Sequence, residues 1–211
     1  MILIGMFDSP FVRRVAVSMK LLDLPFEHKN WSVGKDQAQI RKLNPLGRVP
    51  ALVLSDGEVL TESAAILDYL DDRVGQGRSL LPVTGVPRRK ALQLMALATG
   101  AAEKGAQQVY ETVFRPADKR HEPWTRRLGE QMHGALAALD RAAAAIPGTD
   151  WLIDEGLTQA DVTVACAFTY LDEAVKLDKK LYPALRKHVA RCERLPAFKT
   201  VYAPFDAPDI R

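Results

Sequence analysis

Apolar and polar positions change their rhythm once along this chain, close to residue 80. Before that point, short apolar runs alternate with helix-period stretches. ILIGM (2–6) reads as a buried strand, and from Pro10 onward Val12, Val15, Ala16, Met19 and Leu22 recur at helical spacing, which predicts a helix over 10–23. FEHKNW (26–31) predicts a second strand, and 36–43 a short helix. ALVL and VL flank Ser55-Asp56-Gly57-Glu58, where Asp-Gly between apolar runs signals a hairpin. A helix follows at 63–74, with Ile66, Leu67 and Leu70 on one side. The order is βαβ, a connection, then ββα, an α/β layer of four strands with helices on its faces.

GQGRSLLPVTGVP (75–87) is rich in glycine and proline and has no periodicity, so it reads as a linker. After it the pattern is helical throughout. One long helix is expected over 88–115, rich in small residues such as Ala96, Gly100 and Gly105, and a second over 123–146, ended by Pro147 and Gly148. A third runs from Thr158 to about Lys176. Thr158 and Asp161 have capping-box spacing, and Leu157 with Val162 suits a hydrophobic staple. Helices at 181–194 and 196–203 complete the pattern. The expected organisation is an α/β domain over 1–76, a linker over 77–87 and an all-α domain over 88–211.

Composition narrows the function without choosing it. At 211 residues, 47% hydrophobic and 26% charged, the chain has the make-up of a soluble globular protein. No apolar run nears the roughly 18 residues that span a bilayer, and MILIGMFDSP has no secretory pattern, so a cytoplasmic protein is expected. Net charge is +3, and the basic pairs, among them Arg13-Arg14, are scattered and interleaved with acids. They read as solvated faces, with no stripe for nucleic acid. Cys166 and Cys192 form neither a CxxC pair nor a zinc knuckle, and Cys166 lies in an apolar run that predicts burial. His28, His121, His133 and His188 lack ligand spacing, so no metal site is expected.

Three segments of the α/β layer carry candidate chemistry: Ser9, Asn44-Pro45-Leu46-Gly47-Arg48-Val49-Pro50, and Thr61-Glu62-Ser63. Ser9 before Pro10 is an ordinary helix start, with a capping hydroxyl and a ring that pre-sets φ. It is equally a hydroxyl placed beside unpaired N–H groups. Glu62 and Ser63 occupy a first helical turn, which by itself needs no ligand. Only about 5–6% of X–Pro bonds are cis, so sequence alone makes Val49-Pro50 trans.

SPFVRR at the first helix, NPLGRVPAL, ESAAILDYL and LTQADVTVACAF, in this order, resemble cytosolic glutathione transferases over the whole chain. The resemblance implies a thioredoxin-like N-terminal domain, an all-helical C-terminal domain, and glutathione as co-substrate with no metal. Ser9 would stabilise the glutathione thiolate. Val49, before a cis Pro50, would pair through its backbone with the cysteinyl unit, Ser63 and Glu62 would hold the γ-glutamyl carboxylate and ammonium, and Phe11 would pack in the site. Lys35 would approach the glycine carboxylate, although a solvated lysine explains it as well. A small hydrophobic electrophile is expected against Tyr110, Phe114 and Arg115, which interdomain packing would equally explain. Ser9-Pro10-Phe11 is similar to the omega-like branch, where Cys replaces the serine. Serine forms no disulfide, so conjugation is expected over thiol exchange. A glutathione-dependent isomerase, dehalogenase or peroxidase is the alternative, as is a non-catalytic binding module. The resemblance also implies a homodimer through Asp68 to Arg78 and the long helix.

Overall fold

The computed structural model describes residues 1–146, 151–153 and 156–207. A four-stranded sheet has the order β2-β1-β3-β4, from β1 (Ile2–Ile4), β2 (Glu27–Lys29), β3 (Ala51–Val53) and β4 (Val59–Thr61). β1 pairs parallel with β2 and antiparallel with β3, which pairs antiparallel with β4. The four strands fall within or close to the apolar runs that predict them, and each is only three residues long. The expected strand 2–6 stops at Ile4. Gly5 there has φ +126°, and a Cβ on it would lie 2.6 Å from Val12 and 2.8 Å from Val49. Only glycine lets β1, the first helix and the Val49 segment meet so closely.

That helix, α1 (Pro10–Leu21), begins at a proline behind the Ser9 cap. Val12, Val15, Ala16 and Met19 are fully buried on it. Arg13 and Arg14, expected on a solvated face, are instead 3% and 4% exposed. The reason is tertiary: α1 packs against both α3 (Ser63–Val74) and α6 (Gln159–Ala174), which cover Arg13 and Arg14 and leave Lys20 as its exposed residue. α2 (Gln37–Leu43) is short, as expected.

The helical part contains α4 (Gly85–Val113), α5 (Glu122–Ala144), α6, α7 (Pro183–Cys192) and the short α8 (Pro196–Lys199). α4 starts before the expected 88, inside the predicted linker. Thr84 is extended, and Pro87 falls in the first turn, where a missing N–H is harmless. Asp71 of α3 accepts from the N–H groups of Leu80 and Leu81 and so fastens the connection. Close contact of α4 with α5 and α6 uses its small residues: Ala98, Ala101 and Ala102 are fully buried. The expected capping box is present at α6, with Asp161 accepting from the Thr158 N–H at 2.8 Å. Pro147 and Gly148, expected to end the second long helix, lie outside the described residues.

Candidate active site

Ser9 has extended backbone, and its Oγ accepts from the Val12 N–H at 3.5 Å, a long capping bond. A hydroxyl that accepts this bond keeps its own proton for another acceptor. The side chain lines a cavity of about 490 Å³ between the α/β layer and the helices. Ser9, Phe11, Val49, Tyr110 and Phe114 all border it. The sequence reading therefore converges on one place for half of its candidates.

The loop leading into β3 is built on Asn44, which is 1% exposed. Its amide donates to the Arg48 C=O at 2.9 Å and accepts from the Leu46 N–H at 3.0 Å. Gln37 of α2 adds a bond to the Gly47 C=O at 3.2 Å. These contacts carry the chain to Val49, and the Val49-Pro50 bond is cis. No backbone hydrogen bond among the described residues engages the Val49 N–H or C=O. Both are available to an extended ligand as they would be at a sheet edge.

Glu62 and Ser63 lie at the start of α3 and do not border the cavity. Glu62 has φ 64° and ψ 120°, a left-handed conformation that costs a non-glycine residue about 1–3 kcal/mol and gathers at binding sites. Its carboxylate stands 3.9 Å from Arg48. Ser63 is 3% exposed, and its Oγ accepts from Arg14 Nη2 at 2.8 Å and Nε at 3.1 Å. Burial lowers the Arg14 guanidinium to about 10, against opposing attraction from Cys166 and Glu62, so it stays cationic at neutral pH. The N–H groups opening α3 and this buried cation together favour an anion at Ser63.

Pro50 is buried behind the cavity, Lys35 is exposed on its loop, and neither borders it. Arg115 is exposed and pairs with Glu111 at 2.9 Å, away from the lining. Tyr110 and Phe114 stack with centroids 5.1 Å apart, the contact expected from their spacing.

Several lining groups had no role assigned from the sequence: Asp8, Gln37, Glu103, Tyr170, Phe205 and Asp206, together with Arg48 of the candidate segment 44–50. Asp8 precedes Ser9, and its Oδ2 accepts from the Asp206 N–H at 3.1 Å. Burial, opposed by that bond and reinforced by the Asp206 charge, raises the Asp8 carboxyl above its ordinary range. Glu173 of α6 accepts from the Tyr202 hydroxyl and the Phe205 N–H, each at 2.8 Å. The chain beyond α8 is thus strapped over the cavity. Asp8 was legible as the neighbour of Ser9, whereas nothing local marks Phe205 or Asp206. Cys166 and Cys192 are buried, as expected for Cys166, and neither lines the cavity. Burial pushes the Cys166 thiol up to about 12. Among the described residues no group of acids, cysteines and histidines could hold a metal, and no helix is long and apolar enough to cross a membrane.

Comparison with known proteins agrees with this layout. The family described as glutathione S-transferase, N-terminal domain, matches residues 3–78, and its C-terminal domain counterpart matches 106–196. An uncharacterised GST-like protein of Escherichia coli, YibF, is 29% identical over 81% of both chains. A probable maleylacetoacetate isomerase of Caenorhabditis elegans is 25% identical over 93% of this chain and 89% of its own. The solved glutathione S-transferase of Methylobacillus flagellatus, with GSH bound, superposes with a TM-score of 0.87 at 27% identity, over 97% of this chain and 99% of that one. With both halves matched in order, around a four-stranded mixed sheet and a helical second part, the chain belongs to the glutathione S-transferase family.

Proposed function

We infer that this chain is a serine-type glutathione transferase that binds glutathione, holds its sulfur as the thiolate and adds it to small hydrophobic electrophiles. The observation that carries the reading is Ser9 at the N-terminus of α1, its hydroxyl only loosely engaged and its side chain on the cavity. A thiol with pKa of about 8.5 needs roughly 2.7 kcal/mol of preference for the anion to fall by two units. A hydrogen bond to a charged group contributes about 1.5–3 kcal/mol, and a partly buried helix N-terminus up to about 2 kcal/mol. Together they suffice without a general base.

The tripeptide would lie along the cis loop. Val49 would pair with the cysteinyl backbone, Pro50 would hold that turn, Ser63 and the α3 N–H groups would receive the γ-glutamyl carboxylate, and Glu62 the ammonium. Lys35 would reach the glycine carboxylate, and Phe11 would wall the thiol. Tyr110 and Phe114 would line the electrophile pocket, with Arg115 at its rim. Supporting the co-substrate is the GSH-bound relative of the same fold. A homodimer, through Asp68 to Arg78 and α4, and a cytoplasmic location follow the family expectation. Turnover of glutathione with an aryl halide or an isothiocyanate tests the reading: activity is expected, and none across a panel would contradict it.

A second reading, a glutathione-dependent isomerase, is favoured by the Caenorhabditis elegans relative. The lining argues against its dicarboxylate substrate class. Asp8, Glu103 and Asp206 line the cavity, whereas Arg48 is the one cation among the described lining residues and stands next to Glu62.

A further inference from the structure

Arg13 and Arg14 are neighbours in α1 and both are buried, but their partners differ. Arg13 meets both carboxylate oxygens of Glu193. Arg14 meets only hydroxyls: Nε and Nη2 reach Ser63 Oγ, and Nη1 reaches Thr163 Oγ1 at 3.4 Å. Among the described residues no carboxylate pairs with it. The Glu62 carboxylate attracts it through space, but that side chain is 51% exposed and stands beside Arg48. Cys166, whose thiol burial pushes up to about 12, is neutral and supplies no counter-charge. A buried cation normally keeps an anionic partner, because a buried charge without one is costly. α3 carries no side-chain cap either, so its first N–H groups lie at the same Ser63 end without an acceptor.

We propose that Arg14 is a positioning residue of the glutathione site: its charge is left without a partner so that the γ-glutamyl carboxylate, bound at Ser63, becomes its counter-ion. The proposal rests on the glutathione reading above. Arg14 acts through the serine. Two guanidinium N–H groups occupy the lone pairs of Ser63 Oγ, so the hydroxyl proton points away from the cation and is the donor a carboxylate meets. A hydroxyl polarised in this way donates more strongly. The charge behind it adds a direct attraction: at an effective dielectric of about 20, unit charges about 6 Å apart change an affinity by tenfold or more. The site should therefore select for the carboxylate itself and not for the peptide as a whole.

Binding of S-methylated peptides keeps the thiol out of the measurement. Glutaryl-cysteinylglycine and butanoyl-cysteinylglycine, each S-methylated, both lack the ammonium and differ only in the carboxylate. The intact protein should prefer the glutaryl compound by well over tenfold, Arg14→Met should cut that preference about tenfold, and Arg14→Lys, which keeps the charge, should restore most of it. A full preference in Arg14→Met, even with both compounds bound more weakly, would show a merely structural role and overturn the proposal. The intact protein offers a check that needs no variant. A buried charge is little screened, so the preference should hold within about threefold between about 50 and 500 mM salt. Its loss in salt would put the carboxylate on exposed cations and overturn the proposal. Equal binding of the two compounds by a protein that binds S-methylglutathione overturns the proposal alone. Failure of S-methylglutathione itself to bind overturns the glutathione reading, and the proposal with it.

Discussion

Arg14 and Ser63 are 49 positions apart in sequence, yet the guanidinium places two nitrogens on one serine oxygen, at 2.8 and 3.1 Å. With its lone pairs so occupied, the Ser63 hydroxyl has its own proton left to give. The other side-chain oxygen near the cation is Thr163 Oγ1, at 3.4 Å. Ser63→Ala strips a buried charge of its best acceptor. At about 1.5–3 kcal/mol for a hydrogen bond to a charged group, the variant should melt roughly 4–10 °C lower and show a raised KM for glutathione. An unchanged melting temperature in calorimetry would contradict the role given to Arg14.

Arg13 ties α1 to the chain's far end. It pairs with both oxygens of Glu193 at 2.6 and 2.7 Å and donates to the C=O groups of Phe198 and Val201. Arg13 is buried whereas the Glu193 side chain is 25% exposed, and removing Glu193 strands the buried cation, at up to about 3–5 kcal/mol. Glu193→Ala should cost that much in denaturant unfolding, whereas the exposed Glu122–Arg126 pair should contribute under about 1 kcal/mol. Equal effects of the two disruptions would contradict this assignment.

Asp8 gives stability a pH dependence of defined sign. Its folded-state carboxyl titrates above the ordinary 3.8, so the folded form binds the proton more tightly. Its contribution is complete below that value and is lost as pH rises through the folded one. Asp8→Asn removes the loss while leaving an oxygen for the Asp206 N–H. The variant should melt higher than the parent at neutral pH, and the gain should vanish as pH approaches 3.8. A gain independent of pH would show that the Asp8 charge is not the cause.

Glu173 holds the strap through two bonds at 2.8 Å. Glu173→Ala should raise KM for the electrophile several-fold, by loosening Phe205 beside Tyr170, and leave KM for glutathione nearly unchanged. Steady-state kinetics with each substrate varied in turn would separate the two. A rise confined to glutathione would contradict the placement of the strap.

Much of this architecture was legible because its signals are local. The Ser-Pro start of α1, the whole of α3, the Asp-Gly hairpin and the Thr158–Asp161 capping box each depend on residues within a few positions of one another. Ser9, Val49 and Tyr110 could be placed because helix starts, a strand entry and an i, i+4 face locate them. What escaped depends on distant partners. Arg13 and Arg14 read as solvated because Glu193, Ser63 and Thr163 lie far along the chain. Tyr170 sits in an apolar run that predicts burial but says nothing of its hydroxyl, and Phe205 and Asp206 follow the last helix with no periodicity to place them.

The ionisation of the bound sulfur tests the account most directly. Ultraviolet difference absorbance of the thiolate, titrated with glutathione bound, should give an apparent pKa about two units below the free thiol's value of about 8.5, and Ser9→Ala should raise it by about one unit or more. A bound sulfur that stays protonated at neutral pH, or a titration identical with and without the Ser9 hydroxyl, would contradict it.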